Sequence, residues 1–428
     1  DSASFGDREY IVYEDRRIGF AEHARVVASV ARALSERFGV RKGDRVAILA
    51  ANCPEWIVTW WASVSLGAIA VGLNGWWTGD EIRYGLDDAE PRVLFGDRKR
   101  LARLTGAPPR VPVVEFETEF GDLSRFDADA SLPDTPIDED DPATILYTSG
   151  TTGRPKGAVN THRGIIALNG IQFFHGVRMM LAARDAPRED PVPPPCALVT
   201  NPLFHVSGLY TGAVTTLAGG VKTVWTSGRF DPVRVMQLIE RERVTSWGPM
   251  GTMVHRVMTH PAVETYDLSS LRNIGSGGAP VSAALQAQMR SVFPHVRRAL
   301  GVGYGLTECT ALATLNYGEE LERHPDSVGR PLATVQIEIR DADGKPVPEG
   351  CEGEIHIKGP LVMRGYWRRP RETADVILPG RWLRTGDWGR LDDGRLYVNS
   401  RKRDLILRGA ENIYPIEIEQ RLGPDVFG

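Results

Sequence analysis

The sequence predicts an α/β protein with a wound sheet and a smaller antiparallel region. Residues 1–100 alternate helix-like and strand-like stretches, a pattern typical of a wound α/β sheet. A linker rich in Pro, Asp and Glu at residues 131–142 leads directly into another strand-like run. From about residue 328, short strands alternate with Asp-Gly turns at 343–344 and 393–394, which suits a small antiparallel barrel or sheet.

Hydrophobic spacing places several elements in the first hundred residues. Trp56, Trp60 and Val64 recur at helical spacing within residues 55–66, and Gly67 ends that predicted helix. The predicted buried strands are residues 46–50, 68–73 and 93–95. No charged residue occurs from Trp56 to Gly79, so this segment is as long as a membrane span. Its four glycines and its polar residues favour a helix–strand pair inside an α/β core instead.

Length and charge restrict the classes of function. A chain of 428 residues predicts two to four structural units. Its 51 basic and 55 acidic residues give a net charge of −4, so nucleic acid is not expected as a partner. The four cysteines form no CxxC pair and are expected to be reduced thiols. Because no signal-like segment follows Asp1, we expect a cytoplasmic location.

The most informative stretch is a loop after the strand that precedes residue 148. It carries four hydroxyl side chains, three glycines and a lysine between Thr148 and Gly157. Glycines let backbone N–H groups approach an anion, hydroxyls donate to phosphate oxygens, and Lys156 adds a compact positive charge. Only seven of the 51 basic residues are lysine, which makes this one notable. Since Gly157 follows Lys156, the loop is not a Walker A motif.

The segment YTSGTTGRPKGAV at 147–159 resembles the signature of the adenylate-forming superfamily, which includes acyl-CoA synthetases, aryl-CoA ligases and luciferases. Three further segments match motifs of that family in the same order. They are GYGLTE at 303–308, RTGDW at 384–388 and SRKRDLI at 400–406. The resemblance covers nearly the whole chain, and implies stacked αβαβα subdomains, a small antiparallel β-barrel-like subdomain and a mobile C-terminal domain.

The resemblance also implies which residues bind ATP and Mg²⁺. Tyr304 would stack adenine between its neighbours Gly303 and Gly305, Thr307 would contact phosphate, and Glu308 would bind Mg²⁺. Asp387 would bind the ribose hydroxyls, assisted by Arg401. The residues that would hold the β- and γ-phosphates are Thr148, Ser149, Gly150, Thr151, Thr152, Gly153 and Lys156. Outside this context, a tyrosine flanked by glycines is more often a packing residue.

The pocket for the acyl group of the substrate is expected to lie near two segments. His205, in NPLFHVSG, resembles the residue that gates the acyl pocket, and a satisfied core histidine is the equal alternative. Trp247 and Met250 are candidate apolar lining, with ordinary core packing as the alternative. A segment of small residues resembles a wall of the acyl and adenine pockets, namely Gly277, Gly278, Ala279 and Pro280.

The predicted activity is an AMP-forming acid–thiol ligase. Amino-acid-activating members carry an aspartate after the phenylalanine, but here Phe204 is followed by His205. The expected substrate is therefore a carboxylic acid without an α-amino group, chiefly a medium- or long-chain fatty acid. ATP, CoA and Mg²⁺ are the expected co-substrates and cofactor, and the products are acyl-AMP and then acyl-CoA.

Alternatives remain open at this point. Within the family they are a fatty-acyl-AMP ligase and an aryl-CoA ligase. Outside it they are a nucleotide hydrolase that uses Lys156, and a nucleotide- and acyl-binding module without efficient catalysis. A homodimer and peripheral contact with a membrane are also left open.

The expected domain division falls near the last motif. Residues 1–402 are predicted to form the adenylation domain, with 328–400 as its β-rich part. Residues 403–428 are predicted to be a hinge at Arg403 and the start of a truncated C-terminal domain. The family's late lysine has no counterpart, because no lysine follows Lys402. We therefore expect weak adenylation by the chain as given.

Overall fold

The computed structural model describes residues 2–106, 108–148, 154–182, 193–278, 281–401, 406–408 and 411–413. The chain divides into two compact units. The first comprises Asp1–Tyr147, Ala158–Arg178 and Pro195–Phe230. The second comprises Thr148–Gly157, Met179–Pro194 and Asp231–Gly428.

The first unit contains the first ten strands and seven helices of the described chain, apart from a few end residues that belong to the second. Its strands are β1 Glu9–Tyr13, β2 Arg16–Gly19, β3 Arg45–Leu49, β4 Ile69–Gly72, β5 Val93–Gly96, β6 Val113–Glu115, β7 Pro142–Thr148, β8 Lys156–Thr161, β9 Cys196–Val199 and β10 Lys222–Trp225. Its helices are α1 Phe20–Arg37, α2 Pro54–Ser65, α3 Gly79–Ala89, α4 Arg98–Leu101, α5 Phe120–Ser124, α6 His162–Ala182 and α7 Thr215–Ala218. A π-helical segment, Ser207–Val214, precedes α7.

Two sheet regions organise this unit. One has the strand order β8-β7-β4-β3-β5-β6, in which the strands from β7 to β6 run parallel. In the other, β1 and β10 pair in parallel, β10 pairs in parallel with β9, and β2 adds an antiparallel edge. The central strands are runs of buried apolar residues, as expected for parallel strands that are covered on both faces.

The second unit contains the remaining elements of the described chain. Its strands are β11 Ser246–Trp247, β12 Asn273–Gly277, β13 Leu300–Tyr304, β14 Thr314–Tyr317, β15 Arg330–Pro331, β16 Gln336–Arg340, β17 Gly353–Lys358, β18 Gly365–Tyr366, β19 Ile377–Leu378, β20 Trp382–Asp392, β21 Arg395–Arg401, β22 Ile406–Arg408 and β23 Glu411–Ile413. Its helices are α8 Pro232–Glu242, α9 Gly251–Met258, α10 Ala283–Val292, α11 Gly318–Arg323 and α12 Pro370–Val376.

This unit combines a mixed sheet with an antiparallel one. Strands β11, β12 and β13 run parallel, and β14 and β15 continue that sheet in antiparallel pairing. The antiparallel sheet has the order β16-β17-β20-β19, with β21 also paired to β20. Asp393 and Gly394 connect β20 to β21 with φ of 47° and 69°. Two successive positive φ values are typical of a type I′ hairpin turn, which explains the Asp-Gly pair seen in the sequence.

The fold class predicted from the sequence is confirmed. The uncharged segment forms α2 and β4, and Trp56, Trp60 and Val64 are all buried on α2. Among the described residues, no helix combines the length and the apolar character needed to cross a membrane. The antiparallel sheet lies where the β-rich region was predicted. The boundary near residue 402 and the hinge residue Arg403 fall outside the described residues, so the predicted domain division stays a prediction.

Candidate functional site

Thr148, at one end of the predicted phosphate loop, lies beside the carboxylate predicted to bind Mg²⁺. Thr148 ends β7 and Lys156 begins β8. The Thr148 hydroxyl lies 3.4 Å from the Lys156 carbonyl oxygen and 3.4 Å from Oε1 of Glu308. Residues Ser149, Gly150, Thr151, Thr152 and Gly153 lie outside the described part of the chain. Two members of the predicted constellation, 160 residues apart in sequence, are thus brought into contact.

Glu308 is held by its backbone as well as by its side chain. It lies in a 3₁₀ turn, Thr307–Cys309, shortly after β13, and its carbonyl oxygen accepts from the Met363 N–H at 2.8 Å. The Tyr366 hydroxyl donates to Glu308 Oε1 at 2.8 Å. The ammonium of Lys156 lies 4.7 Å from the centre of the Tyr366 ring, within the range of a cation–π contact. Tyr366 therefore contacts both predicted ligand-binding residues.

Close backbone packing fixes the turn that carries Glu308. A Cβ on Gly305 would lie 2.0 Å from the Ala311 carbonyl oxygen, so only glycine fits at this position. Thr310 and Ala311 have φ of 50° and 92°, which side chains rarely adopt. The Thr310 hydroxyl donates to the Leu361 carbonyl at 2.7 Å and helps to maintain this conformation. Strained backbone of this kind is concentrated at functional sites in proteins.

The residues predicted to bind adenosine are joined to each other. The Tyr304 hydroxyl donates to Asp387 Oδ2 at 2.7 Å, and the Asp387 side chain is almost completely buried. Burial, together with the Asp387 charge, raises the pKa of Tyr304 well above its usual value. Thr385 Oγ1 accepts from the Asp387 N–H at 3.1 Å and donates to the Ile355 carbonyl at 2.8 Å. Arg401 stands opposite Asp387 in the register of β20 and β21.

In the first unit, the residues around His205 form an aromatic cluster. The His205 ring lies 4.7 Å from the Phe204 ring and 6.0 Å from the Trp76 ring, measured between centroids. Trp76 also packs edge-on against Phe204 at 5.1 Å and is 53% exposed. Burial lowers the pKa of His205 to about 4, so its imidazole is neutral at physiological pH. Neutral His205 can donate or accept a hydrogen bond, but it supplies no positive charge to a carboxylate.

The segment of small residues continues β12 in the second unit. Gly277 pairs with Gly303, and a Cβ on Gly277 would lie 2.8 Å from the Gly303 carbonyl oxygen. Gly278 has φ of 76°, and Ala279 and Pro280 lie outside the described residues. A Cβ on Gly275, by contrast, would meet nothing within 4 Å. The predicted lining residues Trp247 and Met250 are buried, with 2% and 8% of their surface exposed.

The donor set around Glu308 suits Mg²⁺ that arrives with a nucleotide. Among the described residues, no group of three or more His, Cys, Asp or Glu side chains could hold a metal ion. Magnesium is commonly bound by one or two carboxylates together with substrate phosphates, and it retains several waters. A single carboxylate, with the lysine of the predicted phosphate loop near the same tyrosine, fits that mode of binding.

Sequence reasoning did not single out Tyr366. It lies in Gly365-Tyr366-Trp367, 58 residues after Glu308, and neither its spacing nor its composition marks it as functional. The Trp367 N–H donates to the Gly157 carbonyl at 2.7 Å, so this segment is fixed beside the end of the loop. Only the fold shows that the segment adjoins the site.

Comparison with known proteins identifies the family. A family model described as "AMP-binding enzyme" matches residues 1–367. The chain belongs to this family. The predicted membership of the adenylate-forming superfamily is therefore confirmed, and the enzyme is an AMP-forming acid–thiol ligase.

Relatives of the enzyme include proteins named as ligases of aromatic acids and proteins named as ligases of fatty acids. It is 37% identical over 410 residues to a feruloyl-CoA synthase from Amycolatopsis, covering 94% of this chain and 77% of the relative. It is 32% identical over 388 residues to the long-chain-fatty-acid–CoA ligase FadD13 of Mycobacterium tuberculosis, covering 89% and 73%. Adenylate formation followed by CoA ligation is the shared activity, and the type of acid is not settled by these names.

Solved structures of the family have the same fold. The inhibitor-bound N-terminal domain of FACL13 from M. tuberculosis aligns with a TM-score of 0.82 at 29% identity, covering 94% of this chain and 97% of that one. ATP-bound MatB from Rhodopseudomonas palustris aligns with a TM-score of 0.78 at 29% identity, covering 98% and 82%. ATP and CoA are thus the expected co-substrates of the enzyme, as predicted. The roles of individual residues stay predictions.

Proposed function

We propose that the enzyme activates a medium- or long-chain fatty acid in two steps that consume ATP and CoA. The observation that carries this proposal is the grouping of Thr148, Lys156, Glu308 and Tyr366 in the second unit. The Tyr304–Asp387 pair belongs to the same unit. Together these side chains offer a cation, hydroxyl donors, carboxylates and an aromatic ring, which are the groups that a nucleoside triphosphate requires.

In the first step, a carboxylate oxygen of the acid bonds to the α-phosphorus of ATP. The bond from that phosphorus to the bridging oxygen of the β-phosphate breaks, giving acyl-AMP and pyrophosphate. Positioning and charge neutralisation dominate catalysis of phosphoryl and nucleotidyl transfers. Lys156 and Thr148 would hold the leaving phosphates with residues 149–153, and Thr307 would contact phosphate.

The nucleoside would be held by the remaining predicted residues. The Tyr304 ring would stack on adenine, and the Asp387 carboxylate would accept hydrogen bonds from the ribose hydroxyls with Arg401 nearby. Glu308 would bind Mg²⁺, which neutralises charge on the phosphates when it is bound. Gly303 and Gly305, the sequence neighbours of Tyr304, have no side chains that could cover its ring.

In the second step, the CoA sulfur bonds to the acyl carbon and the bond from that carbon to the AMP oxygen breaks. The thiol proton leaves to solvent, and the products are acyl-CoA and AMP. A domain division at residues 402 and 403, with Arg403 at the hinge, is part of this proposal. A cytoplasmic location is proposed with it, because such an enzyme draws on cellular ATP and CoA.

The choice of acid rests on the residues predicted to lie on the acyl side. His205 stands where amino-acid-activating relatives carry an aspartate, and burial keeps its imidazole neutral. Gly275 has open space where a Cβ would project, which leaves room for a ligand. An aryl acid is the second candidate, favoured by the higher identity to feruloyl-CoA synthase than to FadD13.

An acid panel tests the proposed function. Pyrophosphate release and thioester formation are measured with ATP, CoA and acids from acetate to palmitate, together with benzoate and ferulate. Turnover that rises with alkyl chain length supports a fatty acid, whereas preferred turnover of ferulate supports the second candidate. Release of ADP and phosphate, or binding of ATP without release of pyrophosphate, would contradict both.

Substitution of Lys156 tests the site itself. We expect Lys156→Ala to lower kcat/KM for ATP by about 100-fold, because the leaving phosphates lose their neutralising cation. Lys345→Ala, in an exposed turn of the same unit, is the matched control and should retain wild-type turnover. Equal rates for the two variants would show that Lys156 does not contribute to the reaction with ATP.

A further inference from the structure

A single tyrosine links the cation and the anion of the candidate ATP site. The Tyr366 hydroxyl donates to Oε1 of Glu308 at 2.8 Å, and the ring of the same residue lies 4.7 Å from Nζ of Lys156. A hydrogen bond to a charged carboxylate is about twice as strong as a neutral one. A cation over an aromatic face is attracted by the quadrupole of the ring. Two oppositely charged side chains are therefore held by different parts of one residue.

The backbone around Tyr366 is well fixed. The Tyr366 N–H donates to Thr373 Oγ1 at 2.9 Å, and the neighbouring Trp367 N–H donates to the Gly157 carbonyl at 2.7 Å. A Cβ on Gly365 would lie 2.6 Å from the Thr373 side chain, so the chain approaches α12 closely here. Tyr366 thus has a defined position relative to both the end of the phosphate loop and Glu308.

Lys156 and Glu308 are close enough to share Tyr366 as a neighbour, yet no ion pair of 4.0 Å or less joins them in the part of the chain that the structure describes. A direct ion pair would occupy both charges before ATP arrives. With the aromatic ring beside Lys156 and the hydroxyl on Glu308, each charge is oriented and remains available. Partners of this kind orient metal-binding side chains, and their loss commonly reduces metal affinity 10- to 100-fold.

We propose that Tyr366 is a positioning residue that keeps Lys156 and Glu308 apart and orients Glu308 toward the cation carried by ATP. The inference rests on the proposed function, because it assumes that Lys156 meets phosphate and that Glu308 meets Mg²⁺. The hydroxyl acts on Glu308 and therefore governs binding of the metal–nucleotide complex. The ring acts on Lys156 and therefore governs binding of the phosphates with or without metal.

Calorimetric titration of ATP into the 428-residue chain separates these two effects. Each protein is titrated once with excess Mg²⁺ and once with EDTA, and Mn²⁺ bound in the presence of ATP is measured by electron paramagnetic resonance. The variants are Tyr366→Phe, which removes the hydroxyl, and Tyr366→Leu, which removes the ring as well. Tyr397→Phe is the matched control, because its ring also lies beside a cation, Arg390 at 4.5 Å, in the antiparallel sheet.

We expect Tyr366→Phe to bind ATP about tenfold more weakly with Mg²⁺, and to bind it like the wild type with EDTA. Bound Mn²⁺ should fall in parallel, while Tyr397→Phe changes neither measurement. Tyr366→Leu should weaken binding under both conditions. If Tyr366→Leu does not fold, the phenylalanine variant alone decides.

Two results would overturn the inference while leaving the proposed function intact. One is wild-type affinity of Tyr366→Phe with Mg²⁺, and the other is an equal loss with Mg²⁺ and with EDTA, which indicates a structural role only. Failure of the proposed function is seen in the wild-type chain itself, which would then release no pyrophosphate with any acid of the panel, whether or not it binds ATP. That pattern rejects both.

Discussion

At the scale of single residues, the Tyr304–Asp387 hydrogen bond has consequences for the enzyme without nucleotide. Asp387 has only 3% of its surface exposed, so its carboxylate depends on donors within the protein. The Tyr304 hydroxyl is one such donor, at 2.7 Å. If Asp387 accepts the ribose hydroxyls, ATP competes with this contact. Part of the free energy of ATP binding is then used to replace it.

Tyr304→Phe should therefore lower stability without ATP and increase the stabilisation that ATP provides. We expect the free energy of unfolding to fall by about 1–2 kcal/mol, since a buried charge loses a hydrogen bond while the ring remains. Urea unfolding with and without saturating ATP measures both effects. Tyr266→Phe is the control, and an equal ATP-induced stabilisation of Tyr304→Phe and wild type would contradict the expected competition.

At the scale of secondary-structure elements, the segment from β13 to β14 carries much of the candidate site. It contains Tyr304, Thr307 and Glu308, and it turns back so tightly that Gly305 approaches the Ala311 carbonyl. The two strands pair antiparallel, with Tyr304 opposite Thr314. Any change that opens this turn moves the Tyr304 ring, which is predicted to stack on adenine, and the Glu308 carboxylate together.

Gly305→Ala tests this arrangement. Its Cβ would lie 2.0 Å from a backbone oxygen, so the turn must open or shift. We expect the free energy of unfolding to fall by about 2–4 kcal/mol. We also expect saturable ATP binding to be lost. Gly275→Ala is the matched control, because open space surrounds that position, and it should unfold at the wild-type urea concentration. Retention of ATP affinity by Gly305→Ala would show that the turn tolerates rearrangement.

Local sequence was sufficient to predict several of the elements. The strand predicted directly after the linker at 131–142 is observed as Pro142–Thr148, and the helix predicted at 55–66 is observed as Pro54–Ser65. These predictions succeed because apolar spacing and glycine or proline boundaries act within a few residues of the chain. The Asp-Gly pair at 393–394 was equally readable, since few residues adopt two successive positive φ values.

The contacts between motifs could not be predicted in this way. Thr148 and Glu308 are 160 residues apart, and Tyr304 and Asp387 are 83 apart. Resemblance to a family supplied their roles, but the pairing of side chains depends on strand order. Tyr366 was missed for the same reason, because a tyrosine after glycine is unremarkable until the fold places it beside Lys156. The sequence predicted with equal weight that His205 contacts the substrate or that it is a packed core residue, and its role stays a prediction.

At the scale of the whole molecule, each compact unit encloses a neutral histidine. His23 on α1 has 1% of its surface exposed, and among the described residues neither ring nitrogen has a hydrogen-bond partner. Burial lowers the pKa of His23 to about 3. In the second unit, burial and the charges of Arg340 and Arg384 lower the pKa of His356 to about 4. Both imidazoles are therefore neutral in the folded protein at pH values where the unfolded chain binds protons.

This difference predicts how the molecule loses stability in acid. A histidine whose pKa is lower in the folded state stabilises the protein fully above its unfolded pKa of about 6.5, and that contribution is lost as pH falls toward the folded pKa. Between pH 7 and pH 4.5, protonation of each of the two histidines in the unfolded chain should lower the free energy of unfolding by about 2–3 kcal/mol. The free energy of unfolding should thus begin to fall near pH 6.5, above the ordinary pKa values of Asp and Glu of about 4.

His23→Leu and His356→Leu separate the contributions of the two units. Urea unfolding at pH 7 and at pH 4.5 should show a smaller acid-induced loss in either variant than in wild type, because leucine takes up no proton. His255→Gln, at an exposed position, controls for histidine replacement and should keep the wild-type difference. If His23→Leu loses as much stability in acid as wild type, the buried imidazole of the first unit is already protonated or hydrated in the native state. Acid sensitivity of this unit would then arise from other groups, such as His205 or surface carboxylates, and no longer from His23.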